Sequence, residues 1–160
     1  MTTAATQQVV TFRLGEDLFA ADIYAVERVL RYEKPMPVPN VPDWVDGLIE
    51  YQQHVVPVVD LRARFSLERT PPRPETRILV FVVGEQLIGI RVDAVLEVAT
   101  LPADRLSPPP AFFRGLAGDY LQGIVRTEGR LVILLDMPRL LTAAERMTLL
   151  QATEEALADA

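Results

Sequence analysis

WVDGLIEYQQHVVPVVDLR, residues 44–62, is the stretch of sequence that decides the fold. Its pattern predicts a strand over 48–52, a tight reversal, and a second strand over 55–61 that is an almost unbroken apolar run. Valine-rich runs favour a pleated strand that is buried on both faces. Because Pro57 has no backbone amide to donate, we expect this second strand to lie at a sheet edge or at a bulge.

The rest of the chain alternates short strand patterns with turns. Two proline-rich stretches, 34–42 and 106–110, predict stiff connectors, and 66–77 predicts an exposed boundary between two halves. Further strands are predicted over 9–14, 18–21, 27–33, 77–83, 87–90 and 97–101, and single helical turns after Asp22, over 42–46 and over 92–96.

The last part of the chain, 142–160, predicts a helix followed by a tail. Thr142 and Glu145 form a capping box, in which each side chain satisfies the other residue's free backbone amide. An apolar stripe follows, so we expect the helix to pack on the β structure. The stripe contains Met147 and Leu150, with Leu149 beside them.

Two parts of the sequence recur later in the same order, which indicates an internal duplication. Residues within 12–29 recur 69 positions on, and residues within 47–60 recur 76 positions on. We therefore predict a mostly β protein built from a duplicated unit of about five short strands, each unit closing into a small barrel. The matches are Phe12 with Phe81, Gly15 with Gly84, Glu16 with Glu85, Leu18 with Leu87, Ile23 with Val92, Val26 with Val95, Val29 with Val98, Gly47 with Gly123, Leu48 with Ile124, Val56 with Val132, Val59 with Leu135 and Asp60 with Asp136.

Composition limits the class of protein. A length of 160 residues fits one domain, or two very small subdomains with a shared core. The net charge of −6 argues against general nucleic-acid binding, which requires a basic face. There is no cysteine, which excludes disulfides and thiolate metal sites. The chain has neither the start of a signal peptide nor an apolar run near the roughly 20 residues of a membrane span, so we expect a cytoplasmic protein without direct membrane insertion.

The inventory of reactive side chains argues against an enzyme. The two serines, Ser66 and Ser107, lie outside any Gly-x-Ser-x-Gly elbow, and no cysteine can replace them as a nucleophile. His54, the one histidine, falls in a predicted turn, where an exposed side chain is a better interpretation than a catalytic base. We therefore expect no catalytic residues and no cofactor.

Acidic residues leave a metal site open as an alternative. Asp43, Asp46 and Glu50 could gather oxygens for a hard cation, but capping a turn and facing water is the better explanation. Asp60 and Asp136 end equivalent strands, and each is expected to accept backbone amides at a turn or to pair with a nearby arginine. We therefore expect no metal site, and binding to other proteins is the function class that remains.

Six blocks of the sequence, taken in order, resemble the CheW coupling-protein family of bacterial chemosensory arrays. Each block alone is a weak hydrophobic pattern, whereas all six in this order form a specific signal that runs from about residue 9 to residue 147. The blocks are FRLGEDLFAADIYAVERVL (12–30), VPNVPDWVDGLI (38–49), VVPVVDLRARF (55–65), VGEQLIGIRVDAVLEV (83–98), LSPPPAFFRGLAGDYLQGI (106–124) and GRLVILLDMPRLL (129–141).

The resemblance implies a non-enzymatic adaptor with the CheW-like fold, in which two intertwined five-stranded β-barrels share an apolar core, with short helical turns and a C-terminal helix. It implies one CheW-like domain at 9–147, with barrel subdomains at about 9–68 and 77–141 that exchange strands, followed by the helix and tail at 142–160.

The resemblance also implies the partners. An adaptor of this family couples the cytoplasmic tip of a methyl-accepting chemotaxis receptor to the regulatory domain of a CheA-type histidine kinase. It is cytoplasmic and is recruited to receptor arrays at the inner membrane, where self-association in rings is a further expectation.

The family's receptor-binding groove lies between the barrels, and the resemblance places seven residues of this chain in it. Core periodicity is a competing interpretation for the valines among them, about half of which we expect to be simply buried. The groove residues are Val26, Arg28, Val29, Leu30, Gln52, Val95 and Val98. For the kinase-binding surface, we expect apolar loop residues, namely Phe112, Phe113 and Leu116.

The sequence departs from the family pattern at 49–53. The family usually has Ile-Asn-Leu-Arg-Gly there, and this chain has Ile-Glu-Tyr-Gln-Gln. Gln52 therefore lacks the charge that the family associates with receptor and array contacts, and Gln53 replaces a glycine, which adopts positive φ freely. One alternative is a specialised adaptor of an accessory, non-flagellar pathway with lost or altered receptor contact; another, from a different class, is a small-molecule binding barrel.

Overall fold

The structure, a computed structural model, describes residues 6–65, 67–108 and 121–140, together with 145, 149–151, 153 and 154. Within these residues the chain is mostly β. The strands are β1 (Thr6–Leu14), β2 (Asp17–Asp22), β3 (Val26–Arg31), β4 (Val45–Tyr51), β5 (His54–Asp60), β6 (Arg77–Val83), β7 (Gln86–Val92), β8 (Ala94–Pro102), β9 (Leu106–Ser107), β10 (Leu121–Thr127) and β11 (Arg130–Leu135). The helix α1 is Leu61–Arg64, and 3-10 turns lie at Ile23–Ala25, Ala103–Arg105 and Met137–Arg139.

These strands form two sheets. The large sheet has six strands in the order β8-β1-β2-β11-β10-β9, and the small sheet has five in the order β3-β6-β7-β5-β4. Neighbouring strands are antiparallel except β2 with β11 and β5 with β7, which are parallel. The predicted β architecture is confirmed, but the described strands form open sheets rather than closed barrels. The large sheet gains its sixth strand from the two-residue β9, which pairs with β10.

Each sheet takes strands from both halves of the duplicated sequence. β1 and β2, from the first half, pair with β8 and β11 from the second half. β6 and β7, from the second half, pair with β3 and β5 from the first. The two sets of pairings correspond under the sequence offsets of 69 and 76, so both sheets are built by the same rule. The subdomain bounds near 68 and 77 stay a prediction.

Among the residues that the structure describes, apolar side chains on both faces of the sheets form three clusters. The central cluster contains residues of both sheets and therefore lies between them; Phe12 from β1 and Phe81 from β6 are almost fully buried in it. Each sheet also encloses a cluster of its own on the opposite face. The alternation along β1 produces this division, because Val9 enters the large sheet's own cluster and Val10 enters the central cluster.

Two glycines allow chain segments to approach each other at equivalent places. Gly47 lies at a bulge of β4 with a φ of 145°, and a Cβ atom there would lie 2.3 Å from the carbonyl oxygen of Met36. Gly123 lies at the corresponding bulge of β10, and its Cβ atom would lie 2.6 Å from the carbonyl oxygen of Ser107. Both distances are too short for any other residue, so these glycines are structural.

Two of the predicted helical turns are wrong. Over 42–46 the chain makes a turn and then enters β4 at Val45, with Gly47 inside the strand rather than ending a helix. Over 92–96, β7 passes into β8 through a single bend at Asp93. In both places pairing with distant strands overrides the predicted helical turn: Val45 pairs with Val59 of β5, and Ala94 and Val95 pair with Arg13 and Phe12 of β1.

The predicted edge position of Pro57 is also wrong, because β5 lies between β7 and β4. The parallel ladder with β7 covers only 58–60, so Pro57 lies just before it. On the other side Pro57 faces Leu48, whose backbone amide and carbonyl pair instead with Met36. The missing amide therefore interrupts neither of these ladders, and proline is tolerated in an interior strand.

The C-terminal segment packs on the β structure, as predicted. Its described residues, 145, 149–151, 153 and 154, have helical backbone. Leu149 is fully buried in the central cluster, whereas Leu150 is 40% exposed, so the predicted stripe is wrong about Leu150. Glu145 pairs with Arg64 of α1 at 2.9 Å. Thr142 and Met147 lie outside the described residues.

Candidate partner-binding surface

Four of the predicted groove residues lie on β3, an edge strand of the small sheet. Arg28 and Val29 are exposed, whereas Val26 and Leu30 are half-buried. Val26 packs on the central cluster and Leu30 packs on the small sheet's own cluster. Two of the four therefore also support the core, and the other two are accessible to a partner.

The equivalent strand of the large sheet, β8, carries two more predicted groove residues. Val95 is half-buried against the central cluster, and Val98 is 57% exposed. These valines correspond to Val26 and Val29 in the duplication, and Val29 is 40% exposed. None of the four valines is simply buried: Val26 and Val95 pack on the central cluster but stay half-buried, and each edge strand presents one exposed valine at the same place.

Bulges at equivalent positions shape both edge strands. The extra residue is Glu27 in β3 and Leu96 in β8. The hydroxyl of Thr11 holds the second bulge, because it donates to the Glu97 carbonyl at 3.0 Å and accepts from the Glu97 amide at 3.2 Å. Bulges redirect side chains and increase the local twist, so β3 and β8 bend at equivalent places.

Gln52 lies in the turn between β4 and β5 rather than on a strand, which corrects the predicted strand over 48–52. Gln52 and Gln53 have φ values of 46° and 67°, the pattern of a two-residue type I′ hairpin. Both side chains are exposed. The guanidinium carbon of Arg28 lies 6.0 Å from the ring centroid of Tyr51, so the side chain of Arg28 reaches from β3 to the residue before Gln52.

The three residues predicted for kinase binding, Phe112, Phe113 and Leu116, lie outside the described residues.

The two equivalent aspartates have structural roles. The carboxylate of Asp60 is buried and accepts the backbone amides of Arg62 and Ala63 at the start of α1, which confirms the predicted cap. Asp136 makes no such side-chain bond and instead pairs with Arg139 at 3.5 Å.

An ion pair that sequence reasoning missed joins α1 to both sheets. Nε and Nη2 of Arg62 donate to the Asp93 carboxylate at 3.0 and 2.5 Å, and the Gly15 amide donates to it at 2.6 Å. Burial by itself raises the pKa of Asp93, but the hydrogen bonds from Arg62 and Gly15 outweigh burial and hold the pKa below its ordinary value. No short-range pattern predicts this pair, because its members are distant in sequence.

A second cluster of polar side chains lies around Asp46, at the start of β4. Burial raises the pKa of Asp46, although Arg91 at 3.8 Å opposes the shift. The Tyr32 hydroxyl donates to Asp46 at 3.4 Å, and burial followed by the Asp46 charge raises the pKa of Tyr32. Arg91 also lies 4.7 Å over the Tyr32 ring. Asp46, one of the residues considered for a cation, is therefore held by an arginine and a tyrosine.

Within the described ranges, no group of three or more acidic or histidine side chains is placed to hold a metal ion. No helix in that part of the chain is both long and apolar enough to cross a membrane.

Comparison with known families matches residues 8–145 to the family described as the CheW-like domain. The chain is 32% identical over 139 residues to the chemotaxis protein CheW of Klebsiella aerogenes, covering 87% of this chain and 84% of that protein. It is 30% identical over 142 residues to the chemotaxis protein CheW of Treponema pallidum, covering 86% and 84%. It is also 30% identical over 142 residues to protein FrzA of Myxococcus xanthus, covering 88% of each.

The fold has a match among solved structures as well. The scaffolding protein TtCheW from Thermoanaerobacter tengcongensis superposes with a TM-score of 0.80 at 26% sequence identity, covering 88% of this chain and 96% of that one.

Proposed function

This chain belongs to the CheW-like domain family, and from that membership we propose that it couples the cytoplasmic tip of a methyl-accepting chemoreceptor to a CheA-type histidine kinase. The observation that carries the proposal is the family match over residues 8–145, which spans nearly the whole chain. Proteins of this family are non-enzymatic scaffolds and adaptors of chemotaxis, so the chain acts by binding and not by chemistry of its own.

The receptor tip binds along the two edge strands in this proposal. Val29 and Val98 supply exposed apolar contacts at equivalent places on β3 and β8, and Arg28 supplies a charge beside the first of them. A helix with an apolar stripe and an acidic residue beside Arg28 fits this surface, because Glu97 stands at the equivalent position of β8 and leaves the positive charge on β3 alone. Val26 and Val95 pack on the central cluster and Leu30 packs on the small sheet's own cluster, so these side chains hold the two strands in place.

The kinase binds elsewhere, so that one chain can hold both partners at once. Phe112, Phe113 and Leu116 remain our candidates for that contact, and the regulatory domain of the kinase is the expected partner. We place the protein on the cytoplasmic side of receptor arrays, with self-association in rings as a further part of the proposal.

A second candidate is a specialised adaptor of an accessory chemosensory pathway. The observation that favours it is the β4–β5 turn, where Gln52 and Gln53 stand at positive φ without the charge or the glycine usual in the family. This turn presents a different contact surface from that of a standard adaptor. In the second candidate, the protein therefore binds a different receptor.

The test is a binding assay with purified kinase regulatory domain and receptor tip from the same genome. The wild-type chain is expected to bind both. Val29→Glu places a charge on the proposed groove and is expected to weaken receptor binding at least about tenfold, with kinase binding unchanged. Leu67→Glu is the matched control, because Leu67 is 41% exposed but lies in the loop before β6. Failure to bind any kinase regulatory domain of the genome would contradict the adaptor proposal.

Gln52→Arg in the same assay separates the two forms of the second candidate, a lost and an altered receptor contact. If the chain has lost a charge contact with an acidic receptor residue, the arginine increases receptor affinity. An unchanged affinity supports a different contact at this turn.

A further inference from the structure

The clusters enclosed by the two sheets are equivalent in the duplicated chain, but they are filled differently. The small sheet's own cluster contains Tyr51, with Leu30 and Tyr32 packed against it. At three of the same positions of the large sheet the sequence offsets of 69 and 76 place smaller residues, and at a fourth a threonine replaces a valine of nearly the same shape. The changes from the small to the large sheet are Tyr51 to Thr127, Tyr32 to Leu101, Leu30 to Ala99 and Val80 to Thr11.

The four replaced side chains lie together at a solvent-open pocket of the large sheet. It has a volume of about 310 Å³ and is lined by all four of them, Thr11, Ala99, Leu101 and Thr127, together with Val132. We call it the large-sheet pocket. The pocket opens to solvent beside Leu96, Glu97 and Val98, whose side chains are exposed, so a group from outside the chain can enter it. The three smaller side chains leave the room for that group.

Charge at the mouth of the pocket is reversed relative to the small sheet. Glu97 stands at the position of Arg28, and it lines the pocket together with Glu128 and Arg130. In the small sheet the guanidinium carbon of Arg28 lies 6.0 Å from the Tyr51 ring centroid, so the chain itself supplies a ring and a cation. At the same positions of the large sheet it supplies neither.

The geometry points to the large-sheet pocket as a docking site for an aromatic side chain next to an arginine or lysine, presented by a protein partner. The partner's ring takes the place that Tyr51 fills in the small sheet, and its cation lies at Glu97. Leu96 and Val98, which are 45% and 57% exposed, line the pocket as well and give apolar surface to the flanking parts of the partner.

This inference does not depend on the identity of the adaptor's partners. Val98 belongs to both the pocket rim and the proposed receptor groove, but the wall residues Ala99 and Thr127 belong to the pocket alone. Variants at these two positions therefore test the pocket, while Val29 on the other sheet tests the groove.

The experiment is an NMR titration of the full chain with three short capped peptides, Gly-Arg-Tyr-Gly, Gly-Arg-Ala-Gly and Gly-Glu-Tyr-Gly. The first is expected to shift the signals of Thr11, Ala99 and Val132 at millimolar concentration. Loss of the ring or reversal of the charge is expected to weaken binding about tenfold or more. Equal binding of all three peptides, no shift, or shifts confined to other parts of the chain would overturn the proposal.

Filling the pocket from inside gives a second readout. Thr127→Phe supplies the missing ring; phenylalanine suffices because the Tyr51 hydroxyl has no hydrogen-bond partner within the described residues. This variant is expected to abolish the peptide-induced shifts, and Ala99→Leu, a smaller change, is expected to reduce them. Full peptide binding by a folded Thr127→Phe would contradict the site, and the wild-type titration decides the question if that variant does not fold.

Discussion

Asp93 illustrates how much one side chain determines in this molecule. Its carboxylate accepts hydrogen bonds from Arg62 on α1 and from the Gly15 amide in the β1–β2 turn, at the bend where β7 of the small sheet passes into β8 of the large sheet. Three separate parts of the chain therefore meet at one partly buried charge.

Asp93→Asn should lower the free energy of unfolding at neutral pH by about 1–3 kcal/mol, because it removes charge-assisted hydrogen bonds. The folded-state pKa of Asp93 is lowered, so its contribution is complete above the unfolded pKa and is lost as pH falls through the folded value. The difference between wild type and variant should therefore be constant above about pH 5 and shrink below about pH 4, as measured by denaturant unfolding.

Asp46→Asn is the control, because the pH dependence of its stability difference from wild type is expected to have the opposite sign. Burial raises the pKa of Asp46, so the wild type gains stability relative to this variant as pH falls through that raised value. If both variants showed the same pH profile, the assignment of the two carboxylates would be contradicted.

Residue-scale prediction from sequence was strongest where the interaction is local. The cap made by Asp60 was predicted, because its amide partners are two and three residues away. The Asp93 pair was missed, because Arg62 and Asp93 are 31 residues apart. The position of Gln52 in a turn was missed for another reason: two glutamines at positive φ violate the turn preference for glycine and asparagine.

At the scale of elements, the bulged strands β4 and β10 show what the duplication preserves. Each carries a glycine at its bulge, and each glycine lies against the carbonyl oxygen of a short neighbouring segment.

Gly47→Ala should destabilise the protein by about 3 kcal/mol or more, because the Cβ atom would meet the Met36 carbonyl oxygen and the φ of 145° is strained for alanine. Gly84→Ala is the control: its φ of 64° is also positive, but no atom lies within 4 Å of the added Cβ, so a loss of about 1 kcal/mol is expected. Equal losses in thermal or denaturant unfolding would mean that backbone strain alone, and not the close approach, requires glycine at Gly47.

The strands were predictable because alternation and valine content are strong local signals. β6 has the bounds that its pattern predicts, and β5 differs by one residue at each end. The turn over 42–46 and the bend at Asp93 were not predictable, because contacts with other segments determine them. The interior position of β5 does not follow from the sequence, because the ladder with β7 begins only after Pro57 and the local pattern does not show where a ladder begins.

At the scale of the whole molecule, the duplication found in the sequence determines both the fold and the candidate surface. Exchange of strands between the halves places β3 at the edge of the small sheet and β8 at the edge of the large sheet, each with an exposed valine. The same duplication identifies the large-sheet pocket, because Tyr51 and its neighbours fill the equivalent space in the small sheet. The sequence offsets predicted the repeat, but only the pairing of strands identifies which half contributes to which sheet.

The central claim is that one chain holds a receptor and a kinase together. The most direct measurement is sedimentation of membranes that carry the receptor, mixed with the kinase, with and without this protein. We expect the kinase to sediment only when the protein is present, and to remain in solution with the double variant Val29→Glu, Val98→Glu. Kinase that sediments equally well without the protein, or that never sediments with it, would contradict the account.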